Sequence, residues 1–229
     1  MLKKEEIKGN NLKENKEIIN NQLVKIDLSD KEFQALIHIY GEAANKVGYM
    51  LKELKNDLRN FYGYDVINTI TGRIKTPQSI IKKMKKKNYD INYKNMVEYI
   101  NDIAGIRITC PIKSDIRKVK NLIEKLPNIY ILEEKDYIKK PKKSGYSGFH
   151  LIVETPIRIS EKDVPIKIEI QIRTMAMDFW ATAEHKMRYK NKDKISCFDS
   201  IKLSLYAKIL NIMDNNLTQI SKKQKIKQF

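Results

Sequence analysis

Five stretches of this chain, the first and last contiguous, hold the residue types that phosphoryl chemistry uses. In "PIKIEIQIRT", residues 165–174, Ile166, Ile168, Ile170 and Ile172 alternate with Lys167, Glu169, Gln171 and Arg173. Period-two alternation with β-branched residues is the pattern of a half-buried strand. A carboxylate at the middle of the polar face has two explanations. That face either meets water, as one face of an antiparallel sheet often does, or it meets a ligand.

In "TGRIKTPQSIIKK" a strand carrying Arg73 and Lys75 runs into a helix start, with Thr76 as N-cap and Pro77 at the first helical position. Free backbone N–H groups and the helix dipole favour an anion at such an end. Ser79 adds a hydroxyl there, and Lys83 lies one turn further on the same face. These groups could converge on a phosphate chain, although the glycine spacing of a P-loop is absent. The same residues also suit a basic strand end followed by a solvated, lysine-rich helix.

In "NDIAGIRITC" Asp102 precedes an apolar strand that contains Arg107. An aspartate there commonly only turns the chain, but an arginine inside a buried strand needs a partner or an anion. In "KDYIKKPKKSGYSGFH" two glycines bracket Tyr146 in a basic loop with Lys142 and His150 nearby. Glycine lets backbone approach a ligand closely, and a tyrosine held there can stack on a base; a hairpin turn with a structural tyrosine is the alternative. In "MAMDFWATAEHKMRYK" Met175, Phe179, Ala183 and Met187 repeat as a core stripe. Asp178 could accept from the N–H edge of guanine, or simply suit the helix dipole.

The elements that must position these residues follow from periodicity. Residues 28–58 predict a long helix with Phe33, Leu36, Ile37, Tyr40, Ala44, Val47, Leu51, Leu54 and Leu58 on its apolar face, opened by a capping box of Ser29 and Glu32. Strands are expected over 66–75, 102–112, 130–138, 149–159 and 164–173, and helices over 76–87, 114–126, 175–190 and 199–219. Early alternation followed by consecutive strands predicts an α+β domain: a mixed sheet of about five strands flanked by N- and C-terminal helices. The expected division is a polar segment 1–25, a catalytic domain 26–195, and a C-terminal helix with a basic tail, 196–229. Leu203, Tyr206, Ala207, Leu210, Met213 and Leu217 form a stripe on that last helix which needs cover, from its own domain or from another subunit.

The chain has 229 residues, 41% hydrophobic and 32% charged, so it is globular rather than disordered. No apolar run approaches the roughly 18 residues of a membrane span, and the polar N-terminus lacks a signal peptide's apolar core, which points to the cytoplasm. Cys110 and Cys197 fit reduced thiols and form no zinc-like cluster with the three histidines. A net charge of +17 invites a polyanion, nucleic acid included. It also reflects a Lys-, Ile- and Asn-rich composition, so a nucleic-acid partner is allowed but not required.

Taken in order, "GRIKTPQSIIKK", "NDIAGIRI", "KDYI…PKKSGYSGFH" and "EIQIRTMAMDFWATAEHKMRYK" resemble the RelA/SpoT-type alarmone synthetase domain, and in particular the small, single-domain alarmone synthetases. The resemblance spans roughly residues 30–215. It implies a nucleotidyltransferase-like fold and transfer of the β,γ-diphosphate of ATP to the 3′-hydroxyl of a guanosine nucleotide in the stringent response, with release of AMP. With no His-Asp hydrolase segment in the sequence, synthesis without hydrolysis is expected. The acceptor is GDP or GTP, with GMP a third candidate. A toxin-like relative that modifies the 3′ end of tRNA is the alternative reading.

By the same resemblance Arg73 and Arg107 sandwich the adenine, and Lys75, Ser79 and Lys83 meet the ATP phosphates. Asp102 and Glu169 are the acidic pair that holds Mg²⁺ and activates the acceptor. Tyr146 stacks on guanine, with Lys142, His150, Gln171 and Asp178 around it. Some relatives carry Asn at the positions of Ser144 and Asp178, and many carry Arg-Ser where Ser147-Gly148 stands, which bears on acceptor choice. The resemblance also implies a homotetramer with the C-terminal helix at an interface, and an alarmone as a regulatory ligand.

Overall fold

The computed structural model describes residues 31–190 and 196–226. The elements are α1 (Lys31–Tyr62), β1 (Thr69–Ile74), α2 (Pro77–Lys86), α3 (Tyr93–Tyr99), β2 (Ala104–Cys110), α4 (Lys113–Ile123), β3 (Tyr130–Asp136), β4 (Phe149–Ile159), β5 (Lys162–Thr174), α5 (Met175–Lys190) and α6 (Cys197–Ile226). The polar segment 1–25 and the Ser29 capping box lie outside the described residues. None of the described helices is long and apolar enough to cross a membrane.

The strands form one mixed sheet of α+β type, ordered β1-β2-β5-β4-β3. β2 and β5 pair in parallel, and the other neighbours are antiparallel. Cross-strand partners share a face, so the register sorts the side chains into rows. On one face Ile106, Ile170 and Leu151 stand side by side, as do Ala104, Ile168 and Val153. These join the buried residues of α1 and α4 in the main core. On the other face one row reads Thr71, Arg107, Gln171, His150, Lys135 across all five strands. The next reads Arg73, Gly105, Glu169, Ile152, Glu133. Each half of the alternation in β5 therefore has its own destination, the isoleucines in the core and Glu169 and Gln171 among the polar rows.

Local chemistry sets the helix ends. Thr76 has extended backbone, its hydroxyl accepts from the Ser79 amide at 3.4 Å, and Pro77 opens α2. The short helix α3 has no counterpart among the expected elements, since seven residues are too few to show a helical period. Its signal was the cap: the Asn92 side chain accepts from the Asn95 amide at 2.8 Å.

The expected core stripe on α5 is corrected. Met175, Phe179 and Met187 are exposed, and Met177 and Trp180 are buried instead. Helix α5 follows β5 with no loop, and the Thr174 hydroxyl accepts from the Met177 amide at 3.2 Å. That contact fixes the helix rotation before periodicity can choose it. The expected stripe on α6 also divides. Leu203 is buried, and Ala207 and Leu210 line a cavity against α5, whereas Tyr206, Met213 and Leu217 are exposed with Leu205, Ile209 and Ile212.

Ile170 is fully buried at the centre of the apolar rows. Truncating such a residue removes burial and leaves a cavity, so Ile170→Ala is expected to cost about 2–5 kcal/mol in a urea unfolding titration.

Candidate active site

Both carboxylate oxygens of Glu169 are held by side chains. Its Oε1 meets His150 Nδ1 at 2.9 Å and its Oε2 accepts from Gln171 Nε2 at 2.6 Å. Both contacts trace back to Arg173. One Arg173 nitrogen donates to the Gln171 carbonyl at 2.6 Å and to the Tyr146 hydroxyl at 2.8 Å. That hydroxyl in turn bonds His150 Nε2. In the tautomer that carries its proton on Nδ1, His150 donates to Glu169 and accepts from Tyr146, and every hydrogen in the chain has an acceptor. Two hydrogen-bonded paths thus run from one guanidinium to the two oxygens of one carboxylate. Burial alone would raise the proton affinity of Glu169, and nearby Asp102 pushes the same way. The bonds from His150 and Gln171 win and hold the carboxyl below its usual range.

The second cluster centres on Asp102. Lys75 donates to one carboxylate oxygen and Lys83 to the other, each at 2.7 Å. Lys75 reaches it from the end of β1, where its amide bonds the Ile103 carbonyl at 2.8 Å. Lys83 reaches it from the second turn of α2. Burial pushes the Asp102 carboxyl up, but the two ammonium groups hold it below the carboxylate norm. Ser79, at the helix start, is engaged with its own cap, its Oγ accepting from the Thr76 hydroxyl at 2.8 Å.

Beside Glu169 lies a cleft of about 150 Å³ lined by Thr71, Arg73, Gly105, Arg107 and Gln171. Arg73 crosses over Gly105, where a Cβ would sit 3.5 Å from its Nε. Arg107 pairs with Asp178 at 3.3 Å, and Asp178 also accepts from Arg173 at 3.0 Å. Burial and the neighbouring Arg173 and Arg73 charges lower the proton affinity of Arg107, and Asp178 opposes them. Asp178, expected near guanine, here bridges Arg107 of β2 and Arg173 of β5.

The loop before β4 closes the far side. Lys142 Nζ stands 4.5 Å from the Tyr137 ring centroid and 4.9 Å from that of Tyr146. Burial lowers the proton affinity of Lys142, against the pull of Glu169, and burial raises that of the Tyr146 phenol. A Cβ on Gly148 would come within 3.2 Å of the Tyr146 hydroxyl and 3.3 Å of Arg173 Cγ, so the glycine lets these two side chains meet.

The structure therefore brings Asp102, Lys75 and Lys83 into one group. Glu169, Gln171, His150, Tyr146 and Lys142 form a second, Arg73 and Arg107 line the adjoining cleft, and Asp178 pairs with Arg107. Sequence reasoning missed Arg173, which is buried and feeds both paths to Glu169. The signal was present, because Arg173 is the next member of the alternating polar face after Glu169 and Gln171.

The depressed Asp102 carboxyl has a stability consequence. Its folded-state affinity for protons lies below the unfolded reference near 3.8. Its contribution is therefore fully present above that pH and lost as pH falls through the folded value. Asp102→Asn is expected to reduce the drop in melting temperature between about pH 6 and about pH 3, measured by circular dichroism. An unchanged drop would mean that the lysine pairs contribute nothing to folding.

Three comparisons place this geometry. A family model described as a region found in RelA / SpoT proteins matches residues 72–194, from β1 past the end of α5. The GTP pyrophosphokinase YwaC of Bacillus subtilis is 35% identical over 184 residues, 80% of this chain and 88% of that protein. The GTP pyrophosphokinase YjbM of the same organism is 31% identical over 197 residues, 84% of this chain and 90% of the other. Among solved structures, the small alarmone synthetase 1 of Bacillus subtilis bound to its product pppGpp superposes with a TM-score of 0.80 and 30% identity, covering 85% of this chain and 98% of that one. The motifs, the sheet that presents them and the extent of these matches agree: this chain belongs to the RelA/SpoT family.

Proposed function

We propose that this protein is a GTP pyrophosphokinase, which transfers the β,γ-diphosphate of ATP to the 3′-hydroxyl of GDP or GTP and releases AMP. The observation that carries the reading is the pair of carboxylates held below their usual range, Glu169 on the polar face of β5 and Asp102 in the turn before β2, beside a two-arginine cleft. The relatives' activities support it, and they point to a free guanosine nucleotide rather than a tRNA end as acceptor.

In this reading the guanidinium planes of Arg73 and Arg107 hold the adenine in the cleft. Lys75, Lys83 and the start of α2 with Ser79 receive the phosphates. To do so the two lysines exchange the Asp102 carboxylate for phosphate oxygens, a swap between anions that costs little because each ammonium stays paired. Tyr146 stacks on guanine, with Lys142 toward the acceptor phosphates. Glu169 takes the proton from the 3′-hydroxyl as the oxygen attacks the β-phosphorus, and AMP leaves from the opposite side. Gln171 and His150 fix the carboxylate for that step, and Arg173 fixes them both.

The residues also fit a hard divalent cation. Asp102 and Glu169 are oxygen donors held ionised below the usual range, and no group of three or more His, Cys, Asp or Glu among the described residues could make a closed metal site. Two carboxylates completed by substrate phosphates are what Mg²⁺ prefers. Bound there, it would neutralise charge on the moving diphosphate.

This reading takes residues 26–195 as the synthetase unit, in the cytoplasm where its nucleotides are found, and 196–229 as an added assembly element. The exposed apolar face of α6 supports a homotetramer, and a closed assembly gives an anionic alarmone a place for regulation.

Two measurements test it. Glu169→Gln keeps volume and removes charge, and it is expected to lower the rate of labelled diphosphate transfer at least about a hundredfold while the fold survives. Near-normal turnover by the folded variant would overturn the role of Glu169. In light scattering coupled to size exclusion, the full chain is expected near four times its 26.9 kDa. An Ile209→Glu, Ile212→Glu double variant, changed only on the exposed face, is expected to run smaller. A monomeric full chain would overturn the assembly.

A further inference from the structure

The loop carrying Lys142 and Tyr146 does not stand free of the C-terminal helix. It is closed on itself by bonds from the Gly145 amide to the Lys142 carbonyl, 2.8 Å, and from the Lys142 amide to the Tyr146 carbonyl, 3.0 Å. Its tip, Gly145, has φ +93° and rests on α6 and α5: a Cβ there would lie 2.6 Å from the Ala207 methyl and 3.4 Å from the Trp180 ring. Both the backbone angle and the contact forbid a side chain at this point.

The supporting surface is itself anchored at two points. Trp180 donates its indole N–H to the Leu203 carbonyl of α6 at 3.0 Å. Further along the helix Asp214, only 2% exposed, accepts from the Thr174 hydroxyl. Thr174 directly follows Arg173, which bonds the Tyr146 hydroxyl and supports Glu169 through Gln171. Helix α6 thus touches the acceptor region from both ends of the Arg173–Tyr146 contact, at the Tyr146 loop through Ala207 and beside Arg173 through Asp214.

We propose that α6 is the seat of the acceptor loop, and that Ala207 and Asp214 are positioning residues which set affinity for the guanosine nucleotide without touching it. The proposal rests on the assignment of Tyr146 to the acceptor. The Ala207 methyl lies against the Gly145 backbone, so added branching at position 207 crowds the loop tip. A branched group at position 207 must be accommodated largely by the loop, because Trp180 and Asp214 hold the helix. Overpacking of this kind displaces backbone, and the neighbour displaced is Tyr146. The donor cleft is lined by Thr71 and Arg73 of β1, Gly105 and Arg107 of β2 and Gln171 of β5, and neither Gly145 nor Ala207 reaches it.

The test is steady-state kinetics on the full chain, varying GDP and ATP separately. Ala207→Val is expected to raise the KM for GDP about tenfold and leave that for ATP within about twofold, whereas Ala207→Ser stays near the wild type. Asp214→Ala is expected to show the same split, and Asp214→Asn, which retains an acceptor for the Thr174 hydroxyl, to restore it. A folded Ala207→Val protein with an unchanged KM for GDP, or with both KM values raised together, would overturn the proposal. Should that variant fail to fold, hydrogen exchange on the wild type decides. GDP must protect residues 203–211 along with 142–148, and protection of the loop alone is the overturning result. Tyr146→Ala is the control for the underlying assignment. If it leaves the KM for GDP unchanged, that assignment fails and the proposal falls with it. If it raises the KM while Ala207→Val does not, only the seat is wrong.

Discussion

Parallel pairing of β2 with β5 is the constraint on which the site depends. It sets Gly105 beside Glu169 and Arg107 beside Gln171, so the donor cleft and the acidic centre meet along one seam. Parallel neighbours cannot be joined by a tight turn and need a long crossover. Here the crossover contains α4, β3 and β4. Helix α4 covers the apolar face, while β4 returns antiparallel beside β5 and delivers His150 to Gln171. The loop between β3 and β4 supplies Tyr146 and Lys142. The residues proposed for the acceptor thus lie on the excursion that the parallel pair requires, and in that proposal one pairing would position both substrates.

The charges in the site are arranged for exchange rather than for permanent pairing. Arg73, Lys75, Lys83, Arg107, Lys142 and Arg173 face Asp102, Glu169 and Asp178. The surplus is positive and suits a polyphosphate. Without one, the carboxylates act as placeholders: Asp102 occupies two lysines and Asp178 two arginines. A buried ion that loses its partner is costly, so pairs that change partners keep the empty and the loaded protein both stable. Glu169 is the exception. Its oxygens are held by an imidazole and an amide, partners that a phosphate does not draw away.

Much of this was legible in the sequence, for different reasons at different places. The strand over 149–159 and the helix over 175–190 were read with the bounds the structure has, because turns or a sharp change of period flank them. Thr76 and Pro77 marked the start of α2 by cap chemistry alone. The alternation in β5 identified Glu169 as unusual, and the order of the four motifs supplied its neighbours. What stayed hidden depends on contacts across the chain. The rotation of α5 is set by Thr174, so the stripe of Met175, Phe179 and Met187 misled. The inward and outward faces of α6 are decided by where Thr174 and Gly145 happen to sit. Arg173 looked like the end of a strand until its two hydrogen-bonded paths were visible.

The two-faced character of β5 also limits how such a protein can diverge. Along this strand each residue serves either the core or the site, so gaining or losing one residue before Glu169 would send every isoleucine to the polar rows and every polar group to the core. A change of length in this strand thus needs a bulge to absorb it, whereas replacement does not. The segment between β3 and β4 is free of that period, and its tip is tied chiefly through Gly145. A change of length there leaves the strand register intact, so long as Tyr146 still reaches Arg173 and His150.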